Sequence, residues 1–109
     1  MNSSFKDRGN SFEAKYAHDE EFAFKAHARR NKLLGLWVAN LLGFDHSTAE
    51  VYAKTVIMAD FEEPGDGDVI RKVIADLASA GKEITEKEII DKLAILLDQA
   101  IAELSQESK

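Results

Sequence analysis

Two capping signatures and two glycine stops constrain this chain more than any other feature. Ser47 with Glu50, and Thr85 with Glu88, each place Ser/Thr-x-x-Glu at the head of an apolar-periodic run. In that arrangement the hydroxyl and the carboxylate satisfy orphan backbone N–H groups at a helix start. Gly43 follows "NLL" and Gly81 follows "ASA", the position at which a helix ends in a left-handed residue. The single proline, Pro64, disfavours helix at Glu63. No stretch of alternating β-branched residues is bounded by hairpin turns. The spacing therefore predicts an all-α chain, a four-helix bundle with helices over 20–42, 47–62, 67–80 and 86–104, and a frayed tail over 105–109.

Within that frame each helix has an expected inward face. The second carries Val51, Tyr52, Thr55, Val56, Met58 and Ala59 on one side. The third carries Val69, Ile70, Val73, Ile74, Leu77 and Ala80. The fourth carries Ile89, Ile90, Leu93, Leu96, Leu97, Ala100, Ile101 and Leu104, with Ile84 and Ile89 at staple positions. The first is densest from Leu33 through Trp37 to Leu41, and Trp37 is expected among the most buried side chains.

The length, 109 residues, suits one domain with one core. Cysteine is absent, which removes disulfides, thiolate metal sites and a cysteine nucleophile. The N-terminal "MNSSFKDRGN" lacks the apolar run of a signal peptide, and no stretch has the ~18 apolar residues of a membrane span. The net charge is −6, unevenly placed. Residues 1–32 hold seven basic and five acidic side chains, and residues 33–109 hold 7 and 15. An acidic body argues against nucleic acid as a partner, because such binding rests on neutralised phosphates.

Few residues suggest chemistry. His18 and His27 are nine positions apart, about 180° around a helix, so they cannot hold one ion on one face. Surface histidines, or a pH-responsive pair, fit them better. "DFEEPGDGD" puts Gly65 where a calcium loop wants glycine, but Arg71 occupies the place of the bidentate Glu. A capped turn, with Asp66 and Asp68 near a helix start, is the simpler reading. Gly65-x-Gly67 lacks the Gly-Lys-Ser/Thr of a phosphate loop. Glu20/Glu21 and Glu62/Glu63 read as solvated faces. In "ARRNK", Arg29, Arg30 and Lys32 spread around a helix, which favours a solvated turn over a phosphate patch. No catalytic constellation emerges, and the chain is expected not to be an enzyme.

The aromatic residues ahead of Leu33 stand apart. Phe12, Tyr16, Ala23, Ala26, Leu33 and Trp37 share a stripe on a helical projection. The other helices are too short to cover Phe12 and Tyr16 if the first is straight. Residues 1–19 therefore read as a mobile N-terminal amphipathic arm, disordered over 1–10 and marginally helical over 11–19 when free, attached to a bundle over 20–104. Large aromatic residues on such an arm suit docking in a groove of another protein.

The blocks "FEAKYAHDEEFAFKAHARRNKLLGLWVANLLG" and "YAKTVIMADFEEPGDGDVIRKV" resemble the zeta subunit family of alphaproteobacterial F-type ATP synthases. The resemblance runs from Phe5 to the end of the fourth helix. It implies a small all-helical inhibitor of ATP hydrolysis without enzymatic activity. In that family the N-terminal arm enters a catalytic interface of the synthase's soluble head and stops rotation in the hydrolytic direction. Carried onto this sequence, the partner-binding residues are Phe5, Arg8, Phe12, Glu13 and Tyr16, continuing into His18, Asp19, Glu20 and Glu21. The implied partners are the alpha/beta interface and central stalk of the head, with a monomeric protein in the cytoplasm, held at the inner membrane only through the synthase. No cofactor is expected. Adenine nucleotide binding, proposed for some family members, has no supporting motif here. A helical adaptor that self-associates, or a small nucleotide-sensing regulator, are the alternative readings.

Overall fold

In a computed structural model of the chain, residues 2–107 are described, with side chains from residue 19 onward. Four helices follow one another: α1 (Asn2–Leu41), α2 (His46–Ala59), α3 (Gly67–Ser79) and α4 (Glu86–Glu107). No strand occurs among the described residues. The all-α four-helix architecture matches the sequence reading. The connections are the short loops that the glycines and caps dictate. The arm's expected disorder and its aromatic packing fall on residues 1–18, whose side chains lie outside the described residues.

Both glycine stops are Schellman closures. Gly43 has φ +79°, Phe44 N–H donates to the Ala39 carbonyl at 3.0 Å, and Gly43 N–H donates to Asn40 at 3.1 Å. At Gly81, φ is +77°, and Lys82 and Gly81 donate to Leu77 and Ala78, each at 2.9 Å. The Thr85/Glu88 box is reciprocal. Thr85 N–H donates to Glu88 Oε1 and Glu88 N–H donates to Thr85 Oγ1, both at 3.1 Å. The start of α2 differs from expectation. Asp45, not Ser47, is the N-cap, its carboxylate accepting from Thr48 N–H at 2.8 Å. A carboxylate placed against the N-terminal dipole is at least as good a cap as a hydroxyl. These bonds hold the exposed Asp45 carboxyl below its usual pKa range.

α1 is the spine. α2 and α4 pack along it, and its buried line is Ala26, Arg30, Leu34 and Val38 at successive i+4 positions, widened by Asn31, Gly35 and Ala39. Leu34 and Val38 meet Val56, Val69, Val73, Leu77, Ile89, Leu93 and Leu96 in one core. Each such side chain contributes about 1.5–3 kcal/mol on full burial. The approach of α2 is set by Gly35. A Cβ there would stand 2.6 Å from Ala53 Cα and 3.1 Å from Ala53 Cβ, so the two helices cross at a glycine–alanine contact.

Several expected faces are rotated. On α2 the buried residues are Ala53, Val56 and Ala59, while Val51, Thr55 and Met58 face outward. α2 carries two apolar stripes, and the smaller residues won because only they fit against Gly35. Trp37 is half-buried rather than deeply buried. It lies against the core edge with Lys92 Nζ 4.9 Å from its ring centroid, where its apolar body packs and a cation caps the exposed face. Ala23, Ala80, Ile90 and Ile101 are exposed. The clusters Val69/Val73/Leu77 and Ile89/Leu93/Leu96/Ala100 are buried as their spacing requires.

Candidate functional site

The part of α1 that carries function-bearing residues begins where its tertiary support thins. Going toward the N-terminus, the described cross-helix anchors of α1 are Arg30, Arg29 and Phe24 in turn. They decide how the helix leaves the body.

Arg30 is 3% exposed in the middle of an apolar line. Its fork donates from Nη2 to Asp66 Oδ1 at 2.7 Å and from Nη1 to Asp66 Oδ2 at 3.2 Å. Nε and Nη2 also donate to Asn31 Oδ1 at 3.1 and 2.9 Å. No buried side-chain nitrogen or oxygen among the described residues lacks a partner, which is the condition under which a guanidinium tolerates burial. Asp66, the residue preceding α3, makes no side-chain cap bond. Its carboxylate holds α1 instead. Thus "ARRNK" is not a solvated turn at Arg30, and the "PGDGD" turn is built partly to receive it.

Arg29 makes a second tie. Its two terminal nitrogens bridge both Glu107 carboxylate oxygens, Nη2–Oε1 at 3.0 Å, and Nη1 also reaches Glu103 Oε1 at 3.4 Å. The hydrogen bond to Glu107 is the main cause that raises the Arg29 pKa and lowers that of Glu107. The end of α4 is therefore fastened to α1, and the expectation of a solvated Arg29 is corrected as well. Lys32 remains exposed. Beside the Arg29–Glu107 tie lies a groove of about 590 Å³ lined by Phe22, Phe24, Ala28, Ile57 and Leu104 and by the charged Lys25, Arg29, Lys32 and Glu107.

Phe24, which also lines this groove, stacks on Phe61 with ring centroids 6.0 Å apart and planes at 30°. Both rings stay more than half exposed. A further polar pin lies between α2 and α3. Tyr52 Oη donates to Asp76 Oδ2 at 2.6 Å, and Lys72 Nζ donates to the same oxygen at 3.1 Å while lying 5.2 Å from the Tyr52 ring. Burial, then the Asp76 contact, pushes the phenol pKa upward, so the hydroxyl remains a donor.

Of the residues assigned to partner binding, Asp19, Glu20 and Glu21 are described, and all three are exposed. Glu21 pairs with Lys25 at 3.1 Å, one turn along. Phe5, Arg8, Phe12, Glu13, Tyr16 and His18 lie on α1 within the residues whose side chains are outside the described set. Among the described residues no three His, Cys, Asp or Glu side chains gather as a metal site, and no helix is long and apolar enough to cross a membrane. The sequence reading missed the Arg30–Asp66 pair and the Phe24–Phe61 stack. A signal existed for the first: Ala26-x3-Arg30-x3-Leu34-x3-Val38 puts a cation on an otherwise apolar i+4 line. The second depends on two helices meeting and has no local signal.

Comparison with known proteins gives a consistent result. A family model described as ATPase inhibitor subunit zeta matches residues 1–103. A solved structure, determined in solution by NMR, superposes with a TM-score of 0.68 at 49% identity, covering 77% of this chain and 95% of that one. No match was found among curated proteins.

Proposed function

The chain belongs to the ATPase inhibitor subunit zeta family, and from that membership we propose that it restrains ATP hydrolysis by an F-type ATP synthase through its N-terminal arm. The arm, residues 1–19, enters a catalytic interface of the soluble head while the bundle stays outside as a fixed body. Phe12 and Tyr16, one turn apart, form the main apolar anchor, with Phe5, Arg8, Glu13, His18, Asp19, Glu20 and Glu21 completing the contact surface. The protein acts as a monomer on the cytoplasmic face, is not itself an enzyme and needs no cofactor.

The observation that carries this reading is the mismatch in helix length. α1 has 40 residues, whereas α2, α3 and α4 have 14, 13 and 22. At ~1.5 Å per residue that is about 60 Å against about 21, 20 and 33 Å. Helices that short cannot cover the whole of α1. A long amphipathic helix rooted in a rigid body suits helix-in-groove recognition. Rooting matters energetically. Ordering about 15 residues costs roughly 15–30 kcal/mol of backbone freedom, while Phe5, Phe12 and Tyr16 return about 1.5–3 kcal/mol each. Helix hydrogen bonds and a docked bundle that raises the arm's effective concentration supply the remainder.

The test is titration of ATP hydrolysis by the purified synthase of the same source. Deletion of residues 2–19 should abolish inhibition while circular dichroism shows an intact bundle. Phe12→Ala should weaken inhibition about 30-fold, the equivalent of ~2 kcal/mol lost at a buried aromatic anchor, and Tyr16→Ala somewhat less. His46, exposed on α2, should tolerate Ala. A deletion variant that inhibits at the original concentration assigns the activity to the bundle instead.

A further inference from the structure

The C-terminal turns of α4 carry charges that work against their own helix. Glu103 and Glu107 stand one turn apart, and the last turn holds no basic residue. Like charges at i and i+4 destabilise a helix, and carboxylates at its C-terminus oppose the macrodipole. Left alone, this end would fray. Both carboxylates instead converge on one cation of another helix. Arg29 of α1 bridges the two oxygens of Glu107, and its Nη1 lies 3.4 Å from Glu103 Oε1. Gln99 Nε2 donates to the other Glu103 oxygen at 2.9 Å. The end of α4 is thus ordered by α1, and the tie acts equally in the other direction.

Its position on α1 gives the tie a consequence. α4 runs antiparallel to α1, with Lys92 over Trp37 and Glu107 at Arg29, so its last turn points toward the arm. Ala26, 2% exposed, is the first buried residue of α1 among those described with side chains. Ahead of it, residues 19–25 are exposed except for the half-buried Phe22, which shares a groove with Leu104 and Glu107 of α4 and Ile57 of α2. The last held turns of α1 therefore lie between the ends of two helices, and α4 supplies the polar fastening. A helix propagates readily from a turn already formed, whereas a new nucleus carries a factor of about 10⁻³. Whatever steadies residues 22–29 steadies the turn from which the arm extends.

We propose that Glu103 and Glu107 are positioning residues for inhibition: without touching the synthase, they hold Arg29 and with it the root of α1, so that the arm meets its groove as a directed, preformed helix. This deepens the arm reading and rests on it. Preorganisation lowers the ordering cost met on binding. Loss of the brace should therefore weaken inhibition without lowering its maximum.

The test uses the full-length chain. ATPase titration gives potency, and amide exchange of the free protein gives the state of the root. Glu103→Gln with Glu107→Gln should need about fivefold more protein for half inhibition, the scale of a part-exposed ion-pair network, and should reach the same maximum. Its exchange should quicken more at residues 19–26 than at Leu93. Arg29→Gln should behave alike. The triple variant should be no weaker than either, because all three changes break one contact. Asp91→Asn with Asp98→Asn neutralises two other exposed carboxylates of α4 and should match the unaltered chain in both measurements. Thermal melts check folding. Additive losses in the triple variant would mean that the carboxylates meet the synthase themselves, and would overturn the proposal. So would unchanged potency in the double Gln variant, or a root that exchanges no faster. Failure of the arm reading looks different: Phe12→Ala would then inhibit as the unaltered chain does, while root exchange in the Gln variants would still rise.

Discussion

At the scale of single residues, two residue choices on the buried line of α1, Gly35 and Arg30, set the geometry of the body. Gly35 sits in a helix interior, where it costs about 1 kcal/mol relative to Ala. It is kept because backbone, not side chain, approaches it: Ala53 Cα would lie 2.6 Å from an added Cβ. Gly35→Ala should therefore destabilise the protein despite its better propensity. Overpacking costs about 1–3 kcal/mol, and a clash with backbone rather than a flexible side-chain end belongs to the upper part, about 2–3 kcal/mol. After the propensity gain a net loss of roughly 1–2 kcal/mol remains, or on the order of 5–10 °C in melting temperature. A melt unchanged or raised would mean α2 can slide away at no cost. Arg30 is the complementary case, a charge buried where an aliphatic residue would serve the core. Its fork on Asp66 fixes the loop before α3 against α1, a geometric role that lysine, with one ammonium and no planar fork, does not reproduce.

Among the elements, α4 has a role that its C-terminal turn alone reveals. The sequence reading ends this helix at 104, whereas it continues to Glu107, where the carboxylate meets Arg29 of α1. Glu107 is held below the usual carboxylate range by that contact. A lowered folded-state pKa means the stabilisation is complete above the unfolded value, near 4.5, and is lost as pH falls through the folded value. Glu107→Gln should thus lower the melting temperature at pH 7, and the gap to the unaltered protein should narrow as pH falls below 4.5 and through the lowered folded-state value. A gap that persists in acid would assign the effect to packing rather than charge. Elements defined by local spacing are legible in the amino-acid order alone: the Thr85/Glu88 box and the Gly43 and Gly81 closures need only residues a turn apart. Orientation is not. Val51/Met58 and Val56/Ala59 are both credible inward stripes for α2, and only the small contact surface at Gly35 selects the second. Trp37 misleads for a related reason, since its size suggests the core while Lys92 supplies a cap that lets it rest at the rim. The candidate site is legible as a resemblance carried by residues 12–43 and 52–73. Its Phe24–Phe61 component is not, because nothing in either segment states that they touch.

For the whole molecule, the consequence of one continuous α1 (Asn2–Leu41) is that arm and body share a single axis. If the arm occupies a groove and the bundle rests outside it as a fixed body, the angle between the two around the helix is fixed by residue count. Insertion of one Ala between Asp19 and Glu20 turns the arm by about 100° relative to the bundle while lengthening it only ~1.5 Å. Insertion of four Ala residues turns it by about 40° and lengthens it ~6 Å. A rigid two-point inhibitor should suffer more from the single residue, with inhibition weakened at least about tenfold, or ~1.4 kcal/mol, and should recover part of that loss with four. An arm that acts as an independent peptide on a loose tether should feel neither change, because effective concentration falls only slowly with linker length. Titration of ATP hydrolysis with the two insertion variants distinguishes these cases. Equal potency of both with the unaltered chain would show that continuity of α1 serves to tether the arm and not to aim it.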